Sequence, residues 1–211
     1  MTESPRVVVR GEAVAEVLPD AADLVVTIEV RDRRRDRALA TLAGRQQELT
    51  ALLDAHPEGL GSVATDAVSV FDEAPDGARG GSVVTATTRV QVDDVAAAGR
   101  LAVAVAGLAD TSLHGPHWRV SRGHPVHDQV RADAVADALA RARGYAAALG
   151  AGLTGLVELR DAGTGGGGRL AKASLAMPAP QLELQPGPVE VHGSVEMTFT
   201  MSPPDQEVYA R

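Results

Sequence analysis

The chain has 211 residues, a formal net charge of −8, no cysteine, and only 2% aromatic residues. A chain of this length buries about 70% of its unfolded surface and needs no disulfide or metal staple, while the absent thiols exclude cysteine catalysis and cysteine-ligated zinc. The acidic balance disfavours phosphate backbones and anionic membranes, and so few aromatics leave no platform for stacking bases, so no nucleic-acid partner is expected.

The N-terminus, "MTESPRVVVRGEA", lacks the basic start, apolar stretch and cleavage site of an export signal. The expectation is therefore a soluble, cytoplasmic chain, and no segment reaches the roughly 20 apolar residues of a membrane span. Residues 6–18, "RVVVRGEAVAEVL", alternate apolar and charged side chains and read as a strand. Gly11 within it marks a bulge or a close backbone approach. Pro19-Asp20 is turn chemistry, and 22–31 alternates again, which predicts a hairpin. From 33 to 55 the period becomes 3.6, with Leu39, Leu42, Gln46, Leu49 and Leu53 on one stripe of a long helix. His56-Pro57 and Gly59 end it.

Strands are predicted at 63–72 and 82–93, around the loop "EAPDGARGG". Asp94 is the expected N-cap of a small-residue helix over 94–109. A strand at 113–121 leads into a helix over 125–149, with Val130, Ala134, Ala138, Ala142 and Tyr145 on one side. Strands at 153–160 and 188–201 flank a segment rich in Gly and Pro. The order β-β-α-β-β-α-β-α-β-β predicts an α+β fold in two layers, with mainly antiparallel sheets and long helices packed on one face.

These elements carry a family resemblance. The Val-x-Gly strand "VVRGEA", the Pro19-Asp20 turn and the following long strand and helix come first. The Ala-rich helix "RADAVADALARARGYAAALG", the strand "GLTGLVEL" and the closing "PGPVEVHGSVEMTFTM" complete the series. In this order they resemble the SIMPL-domain, or YggE-like, family of bacteria across about 6–203. The resemblance implies two α+β subdomains. Residues 1–93 with 181–211 would form the first from both chain ends, and 94–161 a smaller inserted one. Residues 162–180 would be a flexible Gly/Pro-rich insertion. It further implies assembly into homo-oligomers, and links to oxidative stress and the cell envelope, with no catalytic motif to carry over. Two features depart from the family's pattern: many relatives are exported, and neither the Gly-rich insertion nor a histidine group is typical of it.

The residues that could carry chemistry are few. "LHGPHWRVSRGHPVH", at 113–127, holds four of the six histidines and the single tryptophan. On a regular strand His114 and His117 point to opposite faces. His124 and His127 lie about one helical turn apart and are the only candidate metal ligands, with Asp128 and Asp133 as oxygen donors in principle. Their i, i+3 spacing and the lack of an HExxH motif favour a structural role instead. Pro125 suits the first helical position and places His124 at the cap. Trp118 is expected to be a buried strand residue.

Gly163-x4-Gly168 has the spacing of a phosphate loop, but Arg169-Leu170 stands where Lys-Ser/Thr is required. Ser121, Ser174 and Ser194 lie in no nucleophile motif. Asp93-Asp94 and Asp72-Glu73 read as caps or solvated turns, and the run "RDRRRDR" at 31–37 as a solvated helix start. No catalytic residue, cofactor or metal is therefore assigned. The expected function is a non-enzymatic oligomeric scaffold or stress-related binding module, with a protein partner for 162–180. The alternative is a protein that binds small molecules or divalent metals in a cleft between its subdomains.

Overall fold

The computed structural model describes residues 4–72, 81–163, 184–205 and 207. Its elements follow the predicted order: β1 (Arg6–Val17), β2 (Ala21–Asp32), α1 (Arg35–Ala55), β3 (Leu60–Asp72), β4 (Ser82–Val92), α2 (Val95–Ala106), β5 (Thr111–Arg119), α3 (Val126–Ala148), β6 (Leu153–Asp161) and β7 (Val189–Met201). The fold is α+β, with two wholly antiparallel sheets ordered β1-β7-β6 and β3-β4-β2-β5. None of the helices among the described residues is long and apolar enough to cross a membrane.

The hairpin expected at Pro19-Asp20 does not form. β1 pairs with β7 over its whole length, from Arg6 opposite Thr200 to Val17 opposite Val189, while β2 pairs with β4 and β5. A turn between two alternating strands suits a crossing between sheets as well as a hairpin. The chain divides accordingly into two compact units. Among the described residues, one contains 4–17, 122–163 and those from 188 onward, and the other 18–72, 81–121 and 184–187. The boundaries thus fall at 17/18 and 121/122 rather than at 93/94, because α2 and β5 join β2 and β4, whereas α3 and β6 join the two chain ends.

In the inserted unit, β2-α1-β3-β4-α2-β5 has the strand order of a split β-α-β motif. Alternate residues of β2, namely Ala22, Leu24, Val26, Ile28 and Val30, point into the core. They meet Ala38, Leu42, Leu49 and Leu53 of α1 and Ala98, Leu101 and Val105 of α2. Full burial of a Leu, Ile or Val is worth about 1.5–3 kcal/mol each, so this aliphatic layer does the work that aromatics do in other cores. Leu39, expected on the α1 stripe, is substantially exposed, and Ala38 takes its place. Asp94 caps α2 as predicted, its side chain accepting the Ala97 N–H at 2.5 Å.

In the unit built from the chain ends, α3 lies on β1 and β7. Its buried face is Val126, Val130, Ala134, Ala138, Ala142 and Ala146, a strict i+4 row. Tyr145, expected there, is 59% exposed, since the row passes one residue beyond it to Ala146. Small residues bring the helix unusually close. A Cβ at Gly11 would lie 2.0 Å from the Ala134 carbonyl oxygen, and one at Gly193 would lie 2.4 Å from that of Val130. The close approach anticipated at Gly11 is therefore real. It also lets Asp137 accept the Glu12 N–H at 3.0 Å.

Candidate functional site

β5 is an edge strand of the four-stranded sheet, and it carries the first half of the histidine stretch. His117 pairs with Asp23 and His114 with Val25, so β5 advances three residues where β2 advances two. Such an insertion is a β-bulge. It sits at Gly115-Pro116, where the peptide bond is cis and Gly115 has φ +118°. Three steps on a regular strand would separate the two histidines. With the extra residue absorbed, both share the face of Asp23 and Val25, opposite the face that Ala22 and Leu24 bury beneath the helices.

The expected divergence of His114 and His117 is thus overturned. Their rings meet edge to face, with centroids 4.7 Å apart and planes at 62°. Among the described residues, neither imidazole makes a hydrogen bond or ion pair. Next along the strand, Trp118 pairs with Ala22 and packs against the core, partly rather than fully buried. Arg119 pairs with Asp23 at 3.0 Å and Asp93 at 2.9 Å. Burial opposes the charge on Arg119, but the bonds to Asp23 and then Asp93 outweigh it and hold the guanidinium above its ordinary value.

The second pair, His124 and His127, is placed differently. His124 Nδ1 accepts the Val126 N–H at 3.1 Å and so satisfies a donor of the first turn of α3. That bond occupies Nδ1. His127, one turn on, is linked to His124 through its backbone N–H at 3.2 Å, and it too has an interaction partner. Asp128 is ion-paired with Arg131, and Asp133 is exposed. Among the described residues, no group of three or more His, Asp or Glu is arranged to hold a metal ion.

Other candidates are engaged in structural roles. Ser121 gives both its N–H and its hydroxyl to Asp20, at 2.6 Å each, tying the start of the inserted unit to its end. Neither residue type at that spacing announces this clamp in the sequence. Ser194 accepts from Arg10 Nε at 2.9 Å. Asp72 accepts the Ser82 hydroxyl at 2.6 Å. In the arginine run, Arg31 pairs with Glu29, Arg34 with Asp36 and Arg35 with Asp72, in keeping with a solvated helix start. A concavity of about 140 Å³ lies between the end of α1 and α2, with the Arg100–Glu58 pair and His56 among its lining. Glu73, Ser174 and glycines 165–168 lie outside the described residues, as does most of the 162–180 segment.

The sheet edges are the other notable surface. β3 exposes Val63, Val68 and Phe71, and β6 exposes Leu156, Val157 and Leu159. α3 covers β1 and β7 and scarcely reaches β6. A model of the SIMPL family, described as a protein of unknown function (DUF541), matches residues 7–199. A search for similar curated proteins found no match.

Proposed function

The chain belongs to the SIMPL family, and on that premise we propose that it is a non-catalytic homo-oligomeric scaffold or stress-related binding module. The observation that carries this reading is the exposure of apolar side chains on edge strands, β3 and β6 among them. β3 runs for 13 residues and β6 for 9, and both turn apolar side chains to solvent, Phe71 being 63% and Leu156 55% exposed. Edge strands present unpaired backbone groups, and soluble proteins normally blunt them with charge or cover them. Apolar edges of this length suit pairing with further copies of the chain. A non-catalytic role is supported by the commitment of the polar side chains: Ser121 to Asp20, Ser194 to Arg10, Asp23 and Asp93 to Arg119, and Asp94 to a helix cap.

Light scattering coupled to gel filtration tests the reading. At micromolar concentration the full chain should elute as a multiple of 21.8 kDa. Phe71→Lys or Leu156→Lys should shift it toward smaller species without altering its circular dichroism. A lone monomer peak across that concentration range would remove the assembly from the proposal.

A further inference from the structure

We propose that His114 and His117 form a two-imidazole site for a divalent transition metal, tightest for Cu²⁺. The inference does not depend on the oligomeric reading. It starts from a contrast among the histidines. His124 and His56 each have a ring nitrogen in a backbone hydrogen bond, His192 lies 3.4 Å from Glu190, and His127 has a partner of its own. His114 and His117 alone among the described histidines keep their ring nitrogens uncommitted, and they touch each other.

Their separation suits a shared ion. A metal–nitrogen bond of about 2.0–2.1 Å, with the ring centre about 1.1 Å further on, puts each centroid about 3.2 Å from the metal. For nitrogen–metal–nitrogen angles of about 90–110°, the two centroids would then lie about 4.5–5.2 Å apart. The observed 4.7 Å falls inside that interval. The bulge is what makes this available, because it brings two residues three apart onto one face of β5, an edge strand paired on one side only, along β2. His114 is exposed and His117 half-buried, so the remaining coordination positions open to water.

The electrostatic setting also tolerates a cation. Charged groups on this face include Asp23, directly opposite His117, with Arg119 and Asp93, and Arg89, across Val25 from His114 and ion-paired with Asp66. The Arg119 guanidinium is shared between two carboxylates and Arg89 is matched by Asp66, leaving these groups with net negative charge. Two protein nitrogens completed by water suit a tetragonal N,O environment, which Cu²⁺ and Ni²⁺ accept, and the order of divalent affinities puts Cu²⁺ first. With only two protein ligands, micromolar rather than nanomolar affinity is expected.

The test titrates Cu²⁺ alone into the full chain by calorimetry and records its electron paramagnetic resonance. The expected result is one Cu²⁺ per chain with hyperfine coupling to two imidazole nitrogens. His114→Ala and His117→Ala should each weaken binding at least ten-fold and reduce the signal to one imidazole. Asn at both positions, a polar replacement of similar reach, should do the same with unchanged circular dichroism, which separates ligand loss from unfolding. His124→Ala with His127→Ala should leave binding intact. Wild-type affinity in the His114/His117 double variant, or loss of binding in the His124/His127 variant alone, would overturn the assignment. So would a wild type that binds no Cu²⁺ below millimolar concentration.

Discussion

Replacing Gly11 with alanine tests how α3 is seated on its sheet. The new Cβ would lie 2.0 Å from the Ala134 carbonyl oxygen, 2.6 Å from Ala138 N and 2.7 Å from Ala138 Cβ. Non-bonded carbon contacts settle at about 3.5–4.0 Å, so the helix must rise by more than about 1 Å. None of the obstacles is a flexible side chain that could swing aside. A gap of about 0.5–1 Å already forfeits about a quarter to a half of the dispersion energy at each contact. The rise would therefore thin the packing of the whole Val130–Ala142 row and stretch the 3.0 Å bond from Glu12 N–H to Asp137. Overpacking usually costs about 1–3 kcal/mol, and with rigid backbone in the way the expected loss is about 3 kcal/mol or more. Urea denaturation followed by far-ultraviolet circular dichroism measures it, with hydrogen exchange resolving α3. Trp118 belongs to the inserted unit, so its fluorescence is the wrong probe here. Gly44→Ala on α1 is the control. Nothing lies within 4 Å of its Cβ, and it should gain up to about 1 kcal/mol from helix propensity. A Gly11→Ala protein within about 0.5 kcal/mol of wild type, with α3 equally protected, would refute the close-seating argument.

Three further expectations follow from the same geometry. The Asp137 carboxyl is held below its ordinary value chiefly by the Glu12 N–H, with burial opposing and Arg141 assisting. A depressed folded value means stabilisation that is complete above the unfolded value of about 3.9 and lost as pH falls through the folded one. Asp137→Asn should thus melt below wild type at pH 7, with the gap closing as pH falls below about 4; a gap that stays constant from neutral to strongly acid pH contradicts this. Asp94→Ala removes the α2 cap and should cost about 1 kcal/mol in urea, with an unchanged midpoint arguing against the cap. Leu24→Ala, at a fully buried position, should cost about 2–5 kcal/mol when followed by Trp118 fluorescence, and a smaller loss would mean the core collapses around the gap.

What was legible in the sequence was whatever depends on neighbours along the chain. The alternation of β2 and β7, the i+4 row of α3 and the Asp94 cap are all local, and each appears where its pattern lies. Strand pairing is not local. Residues 6–31 contain nothing that separates a hairpin from two strands in different sheets, since both need alternation and a turn. The decision is made far along the chain, where β7 offers β1 a partner and β4 and β5 claim β2. The histidine pair was misread for the same reason. Alternation assigns His114 and His117 to opposite faces, and only the register against β2 reveals the inserted residue that reunites them. Gly115-Pro116 marks the place without giving the direction.

Two motifs far apart in the sequence, the Val-x-Gly strand and the Ala-rich helix, become one contact in the structure. The alanines of α3 pack on Val9, Val195, Met197 and Phe199. The helix backbone comes closest where the sheet has no side chain at all. Gly11 in the Val-x-Gly strand and Gly193 in the closing strand provide that surface, beneath Ala134–Ala138 and Val130 respectively. Larger residues on the α3 row would need smaller ones on the sheet, and none is smaller than glycine. The alanine row and the two glycines, far apart in the chain, therefore constrain each other.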